Sequence, residues 1–176
     1  MTKDVCNVTT IEAIRALTDN PRLLEFAEFV LDAAQGKPFP DYKSIDLMDI
    51  APLVRFVWAI DFSNGIGDRP KFVFSGTQVD EHYGMNITGK CFEEIYVEPD
   101  FDKAVTGNYY QVYAQKKVAY TWRRVHYFDE FIERYKSAEA ITFPCSTNGV
   151  DINYGLGFIE YSPTAKGPDE KVFKLL

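Results

Sequence analysis

The sequence predicts an α+β fold: a five-stranded antiparallel sheet with helices on one face, preceded by N-terminal helices. Three observations predict it. Apolar residues recur at helical spacing near the N-terminus. Two β-patterned runs, Val54–Phe62 and Lys71–Ser75, are joined by the turn residues Asn64-Gly65 and Gly67-Asp68. After a helical middle, three further β-patterned runs follow. A hairpin and a meander split by helices belong to this class, and short connections bring the helices onto the sheet.

The N-terminal segment starts with a capping-box spacing, Thr9 as N-cap and Glu12 three residues on. Ile11, Ile14 and Leu17 then form a short stripe. Asn20-Pro21 starts a second helix, because Asn caps well and Pro suits the first helical position. Leu23, Phe26, Ala27, Val30, Leu31 and Ala34 follow at helical spacing until Gly36, Pro38 and Pro40 stop it. Leu24 and Phe29 lie off that stripe and are candidate interface residues; two scattered exposed apolar side chains are the alternative.

In the first sheet run Val54, Phe56, Trp58, Ile60 and Phe62 are expected to share one face. Gly76–Tyr83 reads as a short helix stopped at Gly84, Thr88-Gly89 as a turn, and Asp100–Lys117 as a longer helix. The closing strands are expected at Ala119–Phe128, Ala138–Ser146 and Val150–Phe158. A polar connection is expected over Asp129–Ser137, and a type I′ turn at Asn148-Gly149. Alternation of Val150, Ile152, Tyr154, Leu156 and Phe158 with Asp and Gly predicts a half-buried last strand. The expected organisation is a helical extension over 1–36, a sheet domain over 37–162 and a polar tail over 163–176.

A chain of 176 residues is enough for one domain, and it can bury roughly 70% of its unfolded surface without disulfides or metal. The net charge of −7 and the pI near 4.9 argue against a phosphate-backbone partner, so no nucleic acid is expected. Cys6, Cys91 and Cys145 are odd in number and form no CxxC, so neither a disulfide framework nor a zinc site is signalled. The N-terminus has no apolar leader pattern and no window approaches a membrane span. A cytoplasmic protein without a membrane association is the expectation.

Chemistry-bearing motifs are sparse. Neither His82 nor His126 sits in an HxxxH or HExxH pattern. GxSxG, GxGxxG and GxxxxGK[ST] do not occur. Asp80-Glu81 and Glu93-Glu94 are adjacent on short helices, where neighbours point apart. No metal site, cofactor or catalytic residue is therefore expected. The remaining signal is aromatic. Trp58, Phe74, Tyr109, Tyr113, Trp122 and Phe143 are candidate ligand-binding residues between sheet and helices, or parts of a filled core. Arg124 beside them would seek a carboxylate, from Asp or Glu or from an anionic ligand.

Several short pieces occur in a fixed order. Lys37–Pro40 and Asp46–Ile50 precede Pro52-Leu53. Phe72–Ser75 leads into Gly76-Thr77, then Gly84 and Thr88-Gly89. Arg123-Arg124, Phe143-Pro144, Asn148-Gly149 and the apolar Val150–Ile159 complete the set. Over roughly residues 37–161 this order resembles the bacterial family of proteins built from a single PAS domain. The resemblance implies a non-catalytic sensory or regulatory module. It would bind a small organic ligand, form a homodimer through its N-terminal helix and signal to a separate partner protein. It also implies a cavity bordered by His82. Cys91 lacks the Asn, Arg and Gln that surround the flavin-reactive cysteine of light-sensing PAS proteins, so photochemistry is not expected. A ligand-free interaction domain and a small cone-shaped α+β enzyme stay open as alternatives.

Overall fold

The computed structural model describes residues 3–65, 67, 69–95, 99–129, 132–163 and 171–176; for 3–7, 99–104, 125–129 and 132–136 it gives the backbone path alone. Helices α1 (Lys3–Arg15) and α2 (Pro21–Ala33) lead into two 3-10 segments, Tyr42–Ser44 and Leu47–Phe56. Strands β1 (Val57–Asp61) and β2 (Lys71–Ser75) form a hairpin. Helices α3 (Thr77–Tyr83), α4 (Phe92–Ile95) and α5 (Pro99–Gln115) follow. Strands β3 (Ala119–Asp129), β4 (Ile132–Cys145), β5 (Tyr154–Ser162) and β6 (Val172–Leu175) close the chain. The strands form one antiparallel sheet in the order β2-β1-β5-β4-β3-β6. The β3-β4-β5 meander thus docks its last strand against the first strand of the hairpin.

The mixed α+β class stands, with several differences from the expectation, among them a first helix that starts at Lys3 and runs through Thr9 instead of being capped there. The sheet has six strands, not five: Val172–Leu175 pairs with β3 inside the segment expected to be a polar tail, while 166–170 lies outside the described residues. The expected Asp129–Ser137 connection is the far end of a long hairpin, paired from Arg124↔Ser137 to Asp129↔Ile132. Its charges misled because strand status there comes from pairing with β3, not from local apolar alternation. Val54 and Phe56 belong to a 3-10 segment ahead of β1. The β4–β5 connection is longer than a two-residue turn. Asn148 Oδ1 accepts from the backbone N–H of Val150 and of Asp151, both at 2.9 Å, and Gly149 takes a φ of 78°.

Helices cover both faces of the sheet rather than one. Side chains alternate across a strand, so each strand feeds two layers. Val57, Ala59, Tyr120, Trp122, Ile141, Phe143, Leu156 and Phe158 pack with Leu23, Phe26 and Val30 of α2 and with Ile50, Leu53 and Phe56. On the other face Trp58, Ile60, Phe62, Phe72, Ala138 and Ala140 pack with Val79 of α3, Phe92 of α4 and Val105 of α5. Strand β5 is buried on both sides because its glycines accept rings from β1 and from Phe62 just beyond it. A Cβ built on Gly157 would overlap the Trp58 indole, and one on Gly155 would lie 2.9 Å from the Phe62 ring.

A polar cluster fastens the start of α2 to the sheet. Asn20 Oδ1 caps the helix by accepting from Arg22 N–H (3.1 Å) and Leu23 N–H (3.2 Å). Its Nδ2 donates to Glu139 (3.0 Å) and to Glu160 (2.9 Å), which face each other across β4 and β5. The Tyr120 hydroxyl donates to Glu139 at 2.7 Å, and Arg22 pairs with Glu160.

Candidate functional site

Gly76 places α3 and all that follows it. It ends β2 hard against the 3-10 segment, where a Cβ would overlap the Val54 carbonyl oxygen. The chain can swing there only without a side chain. Asp80 Oδ1 then accepts from Ser75 Oγ (2.5 Å) and from Ile87 N–H (3.1 Å), so this carboxylate holds a turn. Gly84 closes α3 with a φ of 66°, and Gly89 follows at 86°. Residues 89–91 run along the outer edge of β2, where Phe72 N–H donates to the Lys90 carbonyl at 3.0 Å.

Under α5 the layer divides into two halves. One half is filled with rings. Tyr109 meets Trp58 edge-on at 5.1 Å, stacks on Phe92 at 5.2 Å and contacts Phe72 at 6.4 Å. Tyr113 meets Phe62 at 5.6 Å. The other half lies over β3 and β4, where the floor is Thr121, Ala138, Ala140 and Thr142. Small residues there leave a cleft of ≈ 40 Å³, walled by Trp58 and Tyr109 and reached by Asn108 and Arg123. Ligand pockets for drug-sized molecules span about 300–1,000 Å³. One water needs about 10–15 Å³ of such space, so the cleft has room for about three waters or a solute of that size.

The expected site residues divide between the two faces. Trp58 and Tyr109 line the cleft, and Tyr113 packs on the same face. Phe74, Trp122 and Phe143 lie on the opposite face with α2, Phe143 against Phe26 at 6.1 Å, and they cannot share a pocket with the first three. His82 stacks on Tyr161 of β5 at 3.8 Å and contacts Tyr83, away from the cleft lining. Arg124 is exposed, and its neighbour Arg123 takes the place expected of it. Strand parity is the reason: Trp122 faces α2, so Arg123 must face α5 and Arg124 must not. Of the lining residues, the sequence reading missed the polar Asn108, Thr121, Arg123 and Thr142 and the apolar Val105, Ala138, Ala140 and Ile159. The His126 side chain lies outside the described residues.

Leu24 and Phe29 are half-buried, each packing in part against the α2-face core and leaving part of its side chain exposed. Phe29 also borders a surface groove of ≈ 400 Å³ with Asp32, Asp41, Asp46 and Asp49. A second surface groove, ≈ 380 Å³, lies beside Arg69, Lys71 and Cys91. Burial first, and a hydrogen bond with Glu94 second, push the Cys91 thiol above its usual range, away from the reactive thiolate.

Among the described residues that line the cleft, Arg123 carries the one charge. Burial and the neighbouring Arg123 hold the Lys171 ammonium below its usual range. Burial and Tyr83 push the Tyr161 phenol up, with Arg123 opposing. Among the described residues no group of three or more His, Cys, Asp or Glu is placed to hold a metal ion. Among the same residues no helix is long and apolar enough to cross a membrane.

No family model matches the chain, and no curated protein is similar enough to count as a match. Among solved structures, a match described as an RNA-binding Light-Oxygen-Voltage receptor is 12% identical with a TM-score of 0.43. It covers 85% of this chain and 46% of the receptor, so the chain spans less than half of that protein's length. At that score and identity the likeness carries no argument about this chain, and RNA binding is stated of that receptor alone.

Proposed function

We propose that the chain is a non-catalytic regulatory module of PAS type that senses a compact ligand in the cleft under α5 and signals to a separate protein. The observation that carries the reading is the divided layer. Rings fill the half over β1, β2 and β5, while small and polar residues line a cleft over β3 and β4. A cleft of this size is too small for haem, flavin or another chromophore as it stands.

The strand alternation supplies a route for the signal. Ala138, Ala140 and Thr142 of β4 line the cleft, while Glu139, Ile141 and Phe143 between them meet α2 or its cap. A ligand that shifts β4 therefore shifts the carboxylate that Asn20 holds. In this reading Leu24 and Phe29 on α2 present the partner-binding face, and a second copy there is the homodimer expected from the sequence.

The test is thermal unfolding with small polar solutes of about three or four heavy atoms, the size the cleft admits, read against the cleft-filling Ala140→Leu variant. A solute at ten times its Kd adds about 1.4 kcal/mol, hence a Tm rise of about 3–6 °C for a chain of this size. The reading expects a saturable rise that Ala140→Leu abolishes. If no solute raises Tm, the ring-filled half represents the whole layer, and the ligand-free interaction domain replaces this reading.

A further inference from the structure

We infer that the outer edge of β6 is a docking site for an extended acidic segment of a partner protein, which adds to the sheet as a further strand. The inference stands apart from the cleft and names a second surface besides α2. β6 ends the strand order, and among the described residues nothing pairs with its outer side. Parity fixes which groups face out. Leu176 N–H donates to the Val118 carbonyl at 2.9 Å, so Val118 and Leu176 form a hydrogen-bonded pair. Tyr120↔Lys174 and Trp122↔Val172 are then bonded pairs as well, and Thr121↔Phe173 and Ala119↔Leu175 are not. The N–H and C=O groups of Phe173 and Leu175 therefore point away from β3. An open edge of this kind is a template for another strand.

The side chains of β6 set the pattern of its partner. Val172 and Leu176 pack with the α2-face core, so Lys174 between them faces the same side, and it is exposed. Phe173 and Leu175 take the α5 side, half-buried and in neither core layer. A strand added here alternates in the same way. Its residues beside Phe173 and Leu175 are apolar, and those between them lie beside Lys174 and are acidic. Residues 171–176, KVFKLL, carry two lysines and no acidic side chain, in a chain of net charge −7. Among the described residues neither Lys171 nor Lys174 makes an ion pair. A second copy of the chain fits worse. Self-pairing that uses both outward residues sets Phe173 opposite Leu175, and then the two Lys174 side chains stand directly opposite each other, which like charges disfavour.

The test is fluorescence anisotropy of dye-labelled peptides titrated with the full chain at constant ionic strength. The probe is an alternating Glu-Val peptide of about six residues, the usual length of a strand. The controls are a Lys-Val peptide of the same length and a Glu-Val peptide N-methylated at its valines. The inference predicts saturable binding of the Glu-Val peptide, with both controls more than about tenfold weaker. Leu175→Pro removes an outward N–H that β3 does not use, so the fold is expected to tolerate it while the peptide binds more than about tenfold more weakly. If Leu175→Pro does not fold, Lys174→Glu decides: about tenfold weaker binding supports the inference, and unchanged affinity overturns it. Hydrogen exchange supplies a readout of the added ladder, since the Phe173 and Leu175 amides are expected to slow when the peptide is bound. A Lys-Val peptide that binds as well overturns the acidic partner, and an N-methylated peptide that binds as well overturns strand addition. No binding, or a homodimer that Leu175→Pro abolishes, overturns the inference and leaves the reading of the cleft as it was.

Discussion

Replacing Asn20 with Asp isolates the contacts that tie α2 to the sheet. Asp is nearly the same size and caps a helix as well as Asn, so the bonds from Arg22 N–H and Leu23 N–H survive. What changes is the other end of the side chain. The Nδ2 that donates to Glu139 and Glu160 becomes an oxygen facing two carboxylates. A hydrogen bond to a charged group contributes about 1.5–3 kcal/mol. Glu160 keeps 16% of its side-chain surface exposed, so the lower figure applies, and two lost bonds cost about 3 kcal/mol. For a chain of this length that is a Tm drop of about 6–12 °C. In urea, with a slope near 2 kcal/mol/M, it moves the midpoint by about 1.5 M. Differential scanning calorimetry at pH 7 reads the loss directly. Adding Glu160→Gln to Asn20→Asp restores a donor opposite the new carboxylate and is expected to recover part of it. A Tm change under about 1 °C for Asn20→Asp would refute the account of how α2 is held.

Two further outcomes follow from the packing and the buried acids. Gly157→Ala drives a methyl into the Trp58 indole, so it is expected to cost about 1–3 kcal/mol and to shift the tryptophan emission; native stability with unchanged emission would remove the ring-over-glycine account. Tyr42, Tyr120 and Tyr161 all have pKa values raised from 10.0, with burial the largest cause in each. Such groups stabilise the fold fully below the unfolded value, and that stability drains as pH rises towards the folded value. The unfolded state then releases the protons first, so stability is expected to fall above about pH 10, and less steeply in Tyr120→Phe. Equilibrium unfolding between pH 8 and 11 checks the sign, and stability flat across that window would contradict it.

Much of the class was legible from local pattern. Period-two runs at Lys71–Ser75 and along β3 to β5 mark strands, and Gly76, Gly84 and Gly89 mark the turns among the helices. Other features depend on partners in space. Gly155 and Gly157 look like a solvent-facing side of β5, and only the rings arriving from β1 show that face to be buried. The expectation of helices on one face rested instead on short connections, which bring a helix onto the sheet without fixing the face it takes. Val172–Leu175 is too short to stand out in a polar stretch, and its strand character comes from the β3 edge. The site suffered from the same cause. Adjacent arginines differ only by strand parity, and parity becomes readable once Trp122 is known to face α2. Thr121, Ala138, Ala140 and Thr142 carry no signal alone; their smallness matters because they share one patch of floor beneath α5.

The two tryptophans of the chain stand on opposite faces of the sheet, Trp58 in the cleft wall and Trp122 in the α2-face core. Their indole N–H signals in a ¹⁵N-labelled sample therefore report the faces separately. Titrating the small polar solutes of the thermal test at constant ionic strength is the most direct test of a ligand cleft under α5. The account predicts a saturable shift of the Trp58 signal, with Trp122 moving less and no such shift in Ala140→Leu. Signals that both stay still, that drift linearly without saturation, or that move at Trp122 alone would contradict it.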